Sequence, residues 1–566
     1  MNNFTLDPYA ARSCPVKTFN AFDPTLEQPE LDHSLSGLFA GTGDFRDEVF
    51  ENLLAATRQC SDLRGATDRE AATRAALDSG VDLILGAELP QDTKGHRRGG
   101  VDVLVRDRKA GGQTPSYLPV RIKHYRVTEK QLGCLDLETA PLHDLAARRP
   151  LPDLRFRRHR EGVLLELAHL WRMLKSMGFA SAPRGGIITP REEEDDPAAV
   201  WVRLDHRFLR TWSRTAVSGH RLRSPLQRYD HEHSFRVYAA KQAMTRQSGD
   251  ETEPAVRPIR IKECQWCAWW EVCRSRMDED DISLRLSRTP LDVRELQTLM
   301  TLGIRTVSEL AAADLEAVLP EYLPLTTHRD RSEQRLRTAA RRAQMLVDGV
   351  ELERISPEPI DVPRADVEVD LDIETAEGDI TYLWGMLITD RRTGEQHYEH
   401  ISKFAELQPE DENELARAFS ARLLALAEQH PGLRVYHYSE YEVVHLRRLA
   451  KRSGDPLVTA ALELVPKHFV DLFQIVRDNF VGVDGLGLKA VATKGAGFRW
   501  RDHDPGGLNS QSWFNTAVNA EVLAERETAR TRVLEYNEDD VRATWEVRQW
   551  LADLDSPSAT GRAPGA

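Results

Sequence analysis

The clearest alternation of apolar and polar residues lies in the C-terminal third of the chain. Val367–Glu374 (VEVDLDIE) puts an apolar residue at every second position and an acid between, the two-residue period of a strand with one face in a core. Ile380–Thr389 (ITYLWGMLIT) and roughly His397–Phe404 predict two further strands. Glu412–Gln429 changes to helical spacing, with Leu415, Phe419, Leu423, Leu424 and Ala427 on one face. Leu433–Tyr438 (LRVYHY) predicts a fourth strand, leading through Ser439, Glu440 and Tyr441 into a helix that begins near Glu442. The opening order is strand, strand, strand, helix, strand, helix.

The N-terminal half follows a different order. Arg46–Leu54 predicts a helix, Gly100–Arg106 (GVDVLVR) and Leu118–Lys123 (LPVRIK) two strands, Gly162–Gly178 an apolar helix with a glycine stop, and Gly185–Thr189 a strand. Residues from about 285 to 350 predict helices. Leu296–Ala313 holds two of them around Leu302-Gly303-Ile304, with Thr306 and Glu309 spaced as a capping box; this resembles a helix-hairpin-helix unit, whose glycine turn would offer backbone N–H groups to a phosphate. Ser356–Arg364 (SPEPIDVPR) marks the strongest boundary. The expected division is 1–284, a helical linker over 285–355, a domain over 361–554, and a disordered tail over 555–566.

Composition narrows the class. Hydrophobic residues are 41% and charged residues 29%, as in an α/β multidomain protein with ordinary cores. No apolar run approaches the roughly 20 residues that span a bilayer, and no secretion signal is read at the N-terminus. The expectation is a cytoplasmic protein without membrane contact. The net charge of −14 does not advertise a nucleic-acid binder, but Trp201–Asp250 carries ten Lys/Arg against four Asp/Glu, and local stripes decide phosphate binding. The helical stretch around Arg331–Arg342 is also basic. Reduced thiols are expected in the cytoplasm, so a local cysteine cluster points to metal rather than disulfides.

Asp372 and Glu374, two apart on a strand, project to the same side. Paired carboxylates repel, and a hard divalent cation, Mg²⁺ or Mn²⁺, resolves the repulsion. Asp370 shares that face and is a candidate supporting acid. Near the C-terminus, Tyr536 and Asp540 stand at i and i+4 of a helical stretch, on one face.

With Asp372-Ile373-Glu374 on the opening strand, Glu442 (or Glu440) after a later one, and Tyr536-Asn537-Glu538-Asp539-Asp540 on the last helix, about 190 residues resemble the DEDD exonuclease superfamily, most closely its YprB-like RNase H-type branch. The resemblance implies an RNase H-like fold and a 3′–5′ exonuclease using two Mg²⁺ or Mn²⁺ ions. Asp372, Glu374, Glu442 and Asp540 would hold the metal, Tyr536 would orient the attacking water, and Asp471 is a supporting acid. Glu442 stands where the family has Asp.

The N-terminal order resembles the PD-(D/E)xK nucleases of the RecB type, a restriction-endonuclease-like fold. Asp102 and Lys123 match its catalytic Asp and Lys, and Asp47 or Glu48 its early acid. Two positions depart from the family. Arg121 stands where an acid is expected, and Glu166 and Leu170 stand where Gln and Tyr are expected. Losing that acid to a cation weakens metal binding, so an impaired nuclease fold that still binds nucleic acid is expected. Cys264, Cys267 and Cys273 (C-x2-C-x5-C) with the early Cys14 resemble the iron–sulfur RecB-like nucleases. The implied cofactor is a [4Fe–4S] cluster, the alternative zinc, with Trp266, Trp269 and Trp270 packed around it. Cys60 and Cys134 have no partner pattern.

The whole chain resembles RecB-like nucleases that fuse these parts. That implies phosphodiester hydrolysis in a nucleic acid, DNA favoured over RNA, in DNA processing or repair. The competing expectation is a non-catalytic nucleic-acid-binding scaffold with both nuclease folds decayed.

Overall fold

The structure, a computed structural model, describes residues 4–29, 40–56, 59–108, 114–134, 136–190, 197–213, 215–216, 218–247, 249, 254–286 and 291–555. It divides into two compact units. The first comprises Met1–Ser283, Asp292–Gly303 and Leu315–Gln334; the second comprises Leu284–Leu291, Ile304–Asp314 and Arg335–Ala566. The stretch 285–355 is thus shared between the units. The hairpin reading falls on helices Val293–Thr301 and Val307–Ala312; between them Gly303 takes φ +85°, and Thr306 and Glu309 form the capping box. The tail beyond Asp555 lies outside the described residues. No described helix is long and apolar enough to cross a membrane.

The first unit begins with helices α1 (Pro15–Phe22) and α2 (Ala40–Ala56). Its sheet contains β1 (Cys60–Asp62), β2 (Leu83–Asp92), β3 (Arg97–Arg106), β4 (Tyr117–Ile122), β5 (Leu137–Pro141), β6 (Arg149–Leu151), β7 (Arg184–Thr189) and β8 (Ala198–Arg203), in the order β1-β2-β3-β4-β7-β8-β5-β6. Strands β1, β2, β5, β6 and β8 are additions to the sequence reading. Pairing is antiparallel except for β1 with β2 and β4 with β7. Helix α3 (Glu161–Ser176) is buried along most of its length, which explains its near-continuous apolar sequence. It packs Leu167, Leu170 and Leu174 on one face of the sheet, while Val49, Phe50 and Leu53 of α2 pack on the other. Helix α4 (Pro225–Ala243), started by a Ser224–Gln227 capping box, lies against α1 and α3.

The second unit is built on β9 (Val367–Ala376), β10 (Ile380–Asp390), β11 (Glu395–Ser402), β12 (Arg434–His437) and β13 (Phe469–Asp471), in the order β11-β10-β9-β12-β13. The first three form an antiparallel meander; β12 and β13 add on in parallel. The alternation in β9 sets the layers. Val369, Leu371 and Ile373 meet Leu415, Phe419 and Leu423 of α5 (Pro409–Gln429) and Leu446 and Leu449 of α6 (Tyr441–Ser453). The acidic face of β9 lies under α8 (Leu523–Asp553), which follows α7 (Gly507–Asn519).

Candidate active site

The face of β9 under α8 carries four acids, and the structure separates them into two pairs. Glu368 and Asp370 are fully buried and face Arg548 of α8, whose Nε and Nη2 donate to the Asp370 oxygens at 3.0 and 2.7 Å; Arg548 also pairs with Glu368. Asp370 is therefore not part of the metal-seeking group but half of a buried ion pair. Asp372 and Glu374 have no such cation. They meet Asp540 of α8, and one carboxylate oxygen from each of the three lies within 4.8 Å of the other two.

Neighbouring groups aim these acids. Asn537 Nδ2 donates to Asp372 Oδ2 at 2.8 Å, and Asn537 Oδ1 accepts from Tyr398 OH at 2.8 Å. Gly385, opposite Asp372 in the β9–β10 register, makes room: a Cβ there would stand 1.7 Å from Asn537 Oδ1. Ser510 of α7 donates to Glu374 Oε2 at 2.6 Å, and Trp500 Nε1 to Asp540 Oδ1 at 2.7 Å. Lys489 Nζ donates to Tyr536 OH at 3.0 Å, and Tyr536 in turn hydrogen-bonds Asp540. The sequence reading missed Lys489, Ser510 and Trp500, for which no local spacing is diagnostic. Asn537 it noted only as part of a motif.

Glu442 stands in the first turn of α6, buried, with Oε2 lacking any hydrogen-bond partner and His437 Nδ1 at 3.7 Å from it. Glu440 is exposed. The turn between them and β12 is strained: Ser439 has φ +84°, and its N–H donates to Asp471 Oδ1 at 3.0 Å. Asp471 also accepts from Phe473 N at 2.9 Å, so this acid braces the turn that carries Glu442.

Electrostatics sets the group apart. Burial first, then the charges of Asp540, Glu374 and Glu442, push the Asp372 carboxyl well above its usual range. Burial and Asp540 push Glu374 up to about 8. Burial, then Asp471 and Asp540, raises Glu442 to about 8. Burial raises Asp540 only to about 6, because Lys489, Trp500 and Tyr536 oppose it. Tyr536 is held as the neutral phenol by burial and the surrounding acids. The residues fit divalent cations: three converging carboxylates, and a fourth with an orphaned buried oxygen, gain from positive charge what burial costs them.

In the first unit, Asp102 on β3, Arg121 and Lys123 at the end of β4, and Glu166 on α3 come together as an ion network. Glu166 is fully buried and pairs with Arg12, with Arg121 Nε at 3.2 Å and with Lys123 Nζ at 3.2 Å. Asp102 accepts from Ile122 N at 3.0 Å and pairs with Arg46 at 2.6 Å and Arg121 at 3.7 Å. Guanidinium groups occupy the space between the acids where a metal ion would need to sit. A cleft of about 510 Å³ opens on this network, lined by Asp102, Asp47, Arg46, Arg98 and Arg121 among others; Glu48 is exposed.

Cys14, Cys264, Cys267 and Cys273 line one small pocket together with Trp269 and Trp270, while Trp266 is half exposed and outside it. Burial raises the Cys14 and Cys264 thiols and takes Cys273 up to about 11. Two of the sulfurs accept hydrogen bonds, Cys264 from Ile261 N at 3.4 Å and Cys273 from Asn20 Nδ2 at 3.5 Å. Cys60 and Cys134 stand apart from this pocket.

Residues 369–552 match a model of the RNase H superfamily, RNase_H_2. The second unit therefore carries an RNase H-like domain, and its acidic group lies within the matched residues. No curated protein and no solved structure matches the chain.

Proposed function

We propose that the chain is a metal-dependent nuclease that hydrolyses phosphodiester bonds at its C-terminal site, acting as a 3′–5′ exonuclease with two Mg²⁺ or Mn²⁺ ions. The observation that carries this reading is the convergence of the buried Asp372, Glu374 and Asp540 oxygens within 4.8 Å, with no arginine among the hydrogen-bond partners described for them. Asp372, Glu374 and Asp540 would hold one ion; Glu442, whose Oε2 has no hydrogen-bond partner, would help to hold the second. Two such ions activate a water and stabilise the leaving 3′ oxygen. The chain's own residues supply orientation. Asn537 fixes Asp372 through Oδ2 and leaves Oδ1 to the site. Tyr536, neutral and tied to Lys489, orients the attacking water with its hydroxyl.

In this reading the first unit, a PD-(D/E)xK-type fold, is catalytically silent. Arg121 supplies a fixed positive charge between Asp102 and Glu166, so the site has no need of metal and keeps only a capacity for phosphate. Its four thiols would hold a [4Fe–4S] cluster rather than zinc. The four thiols line one pocket, and four thiolates are the ligand set of such a cluster; zinc in a four-thiolate site is the alternative.

The test uses end-labelled single-stranded DNA and RNA with Mn²⁺. Wild type should shorten 5′-labelled strands stepwise from the other end, and Asp372→Ala should not. Equal inertness of both proteins across substrates and metals would defeat the enzyme reading and leave a nucleic-acid-binding scaffold. Residual cleavage by Asp372→Ala that is abolished by adding Lys123→Ala would return activity to the first unit.

A further inference from the structure

The basic stretch over residues 201–250 is not used by either acidic site. Part of it lines a separate groove of about 510 Å³ in the first unit, distinct from the cleft at Asp102. Its floor is apolar: Leu137, Phe156, Val202 and Leu209 are all buried beneath it. Phe208 lies against Phe156 at 6.5 Å between ring centroids. A small hairpin, Leu209–Trp212 with His220–Arg223, forms one wall and pairs Arg210 with Leu222 across its strands. Leu222, 58% exposed, adds apolar surface to the groove.

Five arginines line the groove against two acids, Asp136 and Glu161, leaving an excess of three positive charges (5 − 2). Two of the arginines have carboxylate partners, Arg155 with Glu129 at 2.6 Å and Arg203 with Asp205 at 3.2 Å. The other three, Arg158, Arg207 and Arg210, are exposed and have no carboxylate partner among the described residues; the Arg210 guanidinium hydrogen-bonds the His220 ring at 3.1 Å. Burial raises the Glu161 carboxyl. Unpaired guanidinium groups above an apolar and aromatic floor are the two elements that bind single strands: phosphates on the cations, bases on the floor.

We propose that this groove binds a segment of single-stranded nucleic acid, with its phosphates on Arg158, Arg207 and Arg210 and its bases over Phe208 and Leu222. The proposal rests on the nuclease reading for the choice of a nucleic acid over other polyanions, and it makes the first unit a strand-holding module in its own right. The test is fluorescence anisotropy of labelled oligo(dT) and oligo(U) with the full chain in EDTA, which removes any contribution from metal at the carboxylate site. The R158Q/R207Q/R210Q variant should bind at least about tenfold more weakly, and its plot of log affinity against log salt should be shallower by about 2, from roughly 0.7 per lost phosphate contact. Leu222→Asp should weaken binding without removing a cation. If the triple variant melts early, Arg207→Gln alone carries the comparison. Mn²⁺-dependent turnover at saturating substrate should stay near wild type in these variants while KM rises. Unchanged affinity and salt slope in the variants would overturn the proposal, as would oligonucleotide binding no tighter than that of thymidine monophosphate or inorganic phosphate. Loss of strand binding with no cleavage by wild type would instead uphold the groove and sink the nuclease reading.

Discussion

The acidic site should make the protein less stable as pH rises, and a neutral substitution should reverse this. Glu374→Gln keeps the shape of the side chain and still allows a hydrogen bond with Ser510. In the native protein the Glu374 carboxyl is raised from 4.5 to about 8 by burial and Asp540. The sign follows from the linkage between protons and folding. Between pH 4.5 and 8 the native state holds a proton that the unfolded state has released, so stability falls as pH rises through this interval and levels off above it. The interval corresponds to about 5 kcal/mol at about 1.4 kcal/mol per decade. In the wild type the raised Asp372 carboxyl already holds a proton and relieves part of the shared repulsion, so the net gain should be about 2–3 kcal/mol at pH 8.5. For a unit of this size that is roughly 4–10 °C in the melting temperature. The assay is a set of melts in EDTA from pH 5 to 8.5, following the transition of the second unit. The variant and wild type should coincide near pH 5 and diverge with the variant higher at pH 8.5, and Mn²⁺ should raise wild type more than the variant. A pH-independent difference, or a variant that melts lower at pH 8.5 in EDTA, would refute the reasoning that the acids destabilise one another until a cation arrives.

Three further outcomes are expected. Gly385→Ala puts a methyl group 1.7 Å from Asn537 Oδ1, so it should displace Asn537 from Asp372 and lower metal-dependent cleavage by about 10–100-fold, measured at saturating Mn²⁺; wild-type rates would contradict the positioning role. Arg548→Leu leaves Glu368 and Asp370 buried without their cation and should cost about 3–5 kcal/mol, read by urea titration of the second unit, whereas a variant as stable as wild type would show that the pair is dispensable. Anaerobically purified protein should contain about four irons per chain with broad visible absorbance, lost in Cys273→Ser; stoichiometric zinc without iron would reject the cluster.

Much of the second unit was legible from local spacing. The alternation in VEVDLDIE places Asp372 and Glu374 on one face of β9, and the four-residue interval places Tyr536 and Asp540 on one face of α8. These are consequences of the two-residue and 3.6-residue periods, which any chain of this pattern obeys. The choice of Glu442 over Glu440 was less legible, because it depends on a left-handed Ser439 held by Asp471 from another strand. In the first unit, Arg121 was visible as a departure from an acidic pattern. That it bridges Asp102 and Glu166 was not, since Glu166 lies on a different element and pairs with Arg12 from near the N-terminus.

By itself, then, the sequence determined the elements, the faces on which the acids stand and the order in which they follow, because backbone periods are local. Tertiary structure decided which of those acids meet an arginine and which meet one another. Asp370 and Asp372 are two residues apart on the same face, yet one meets Arg548 and the other meets Asn537 and Asp540. The difference arises from where α8 crosses β9, set by packing between residues more than 150 positions apart, and in a buried setting the identity of the opposing group fixes whether a carboxylate forms a structural ion pair or stands among other acids.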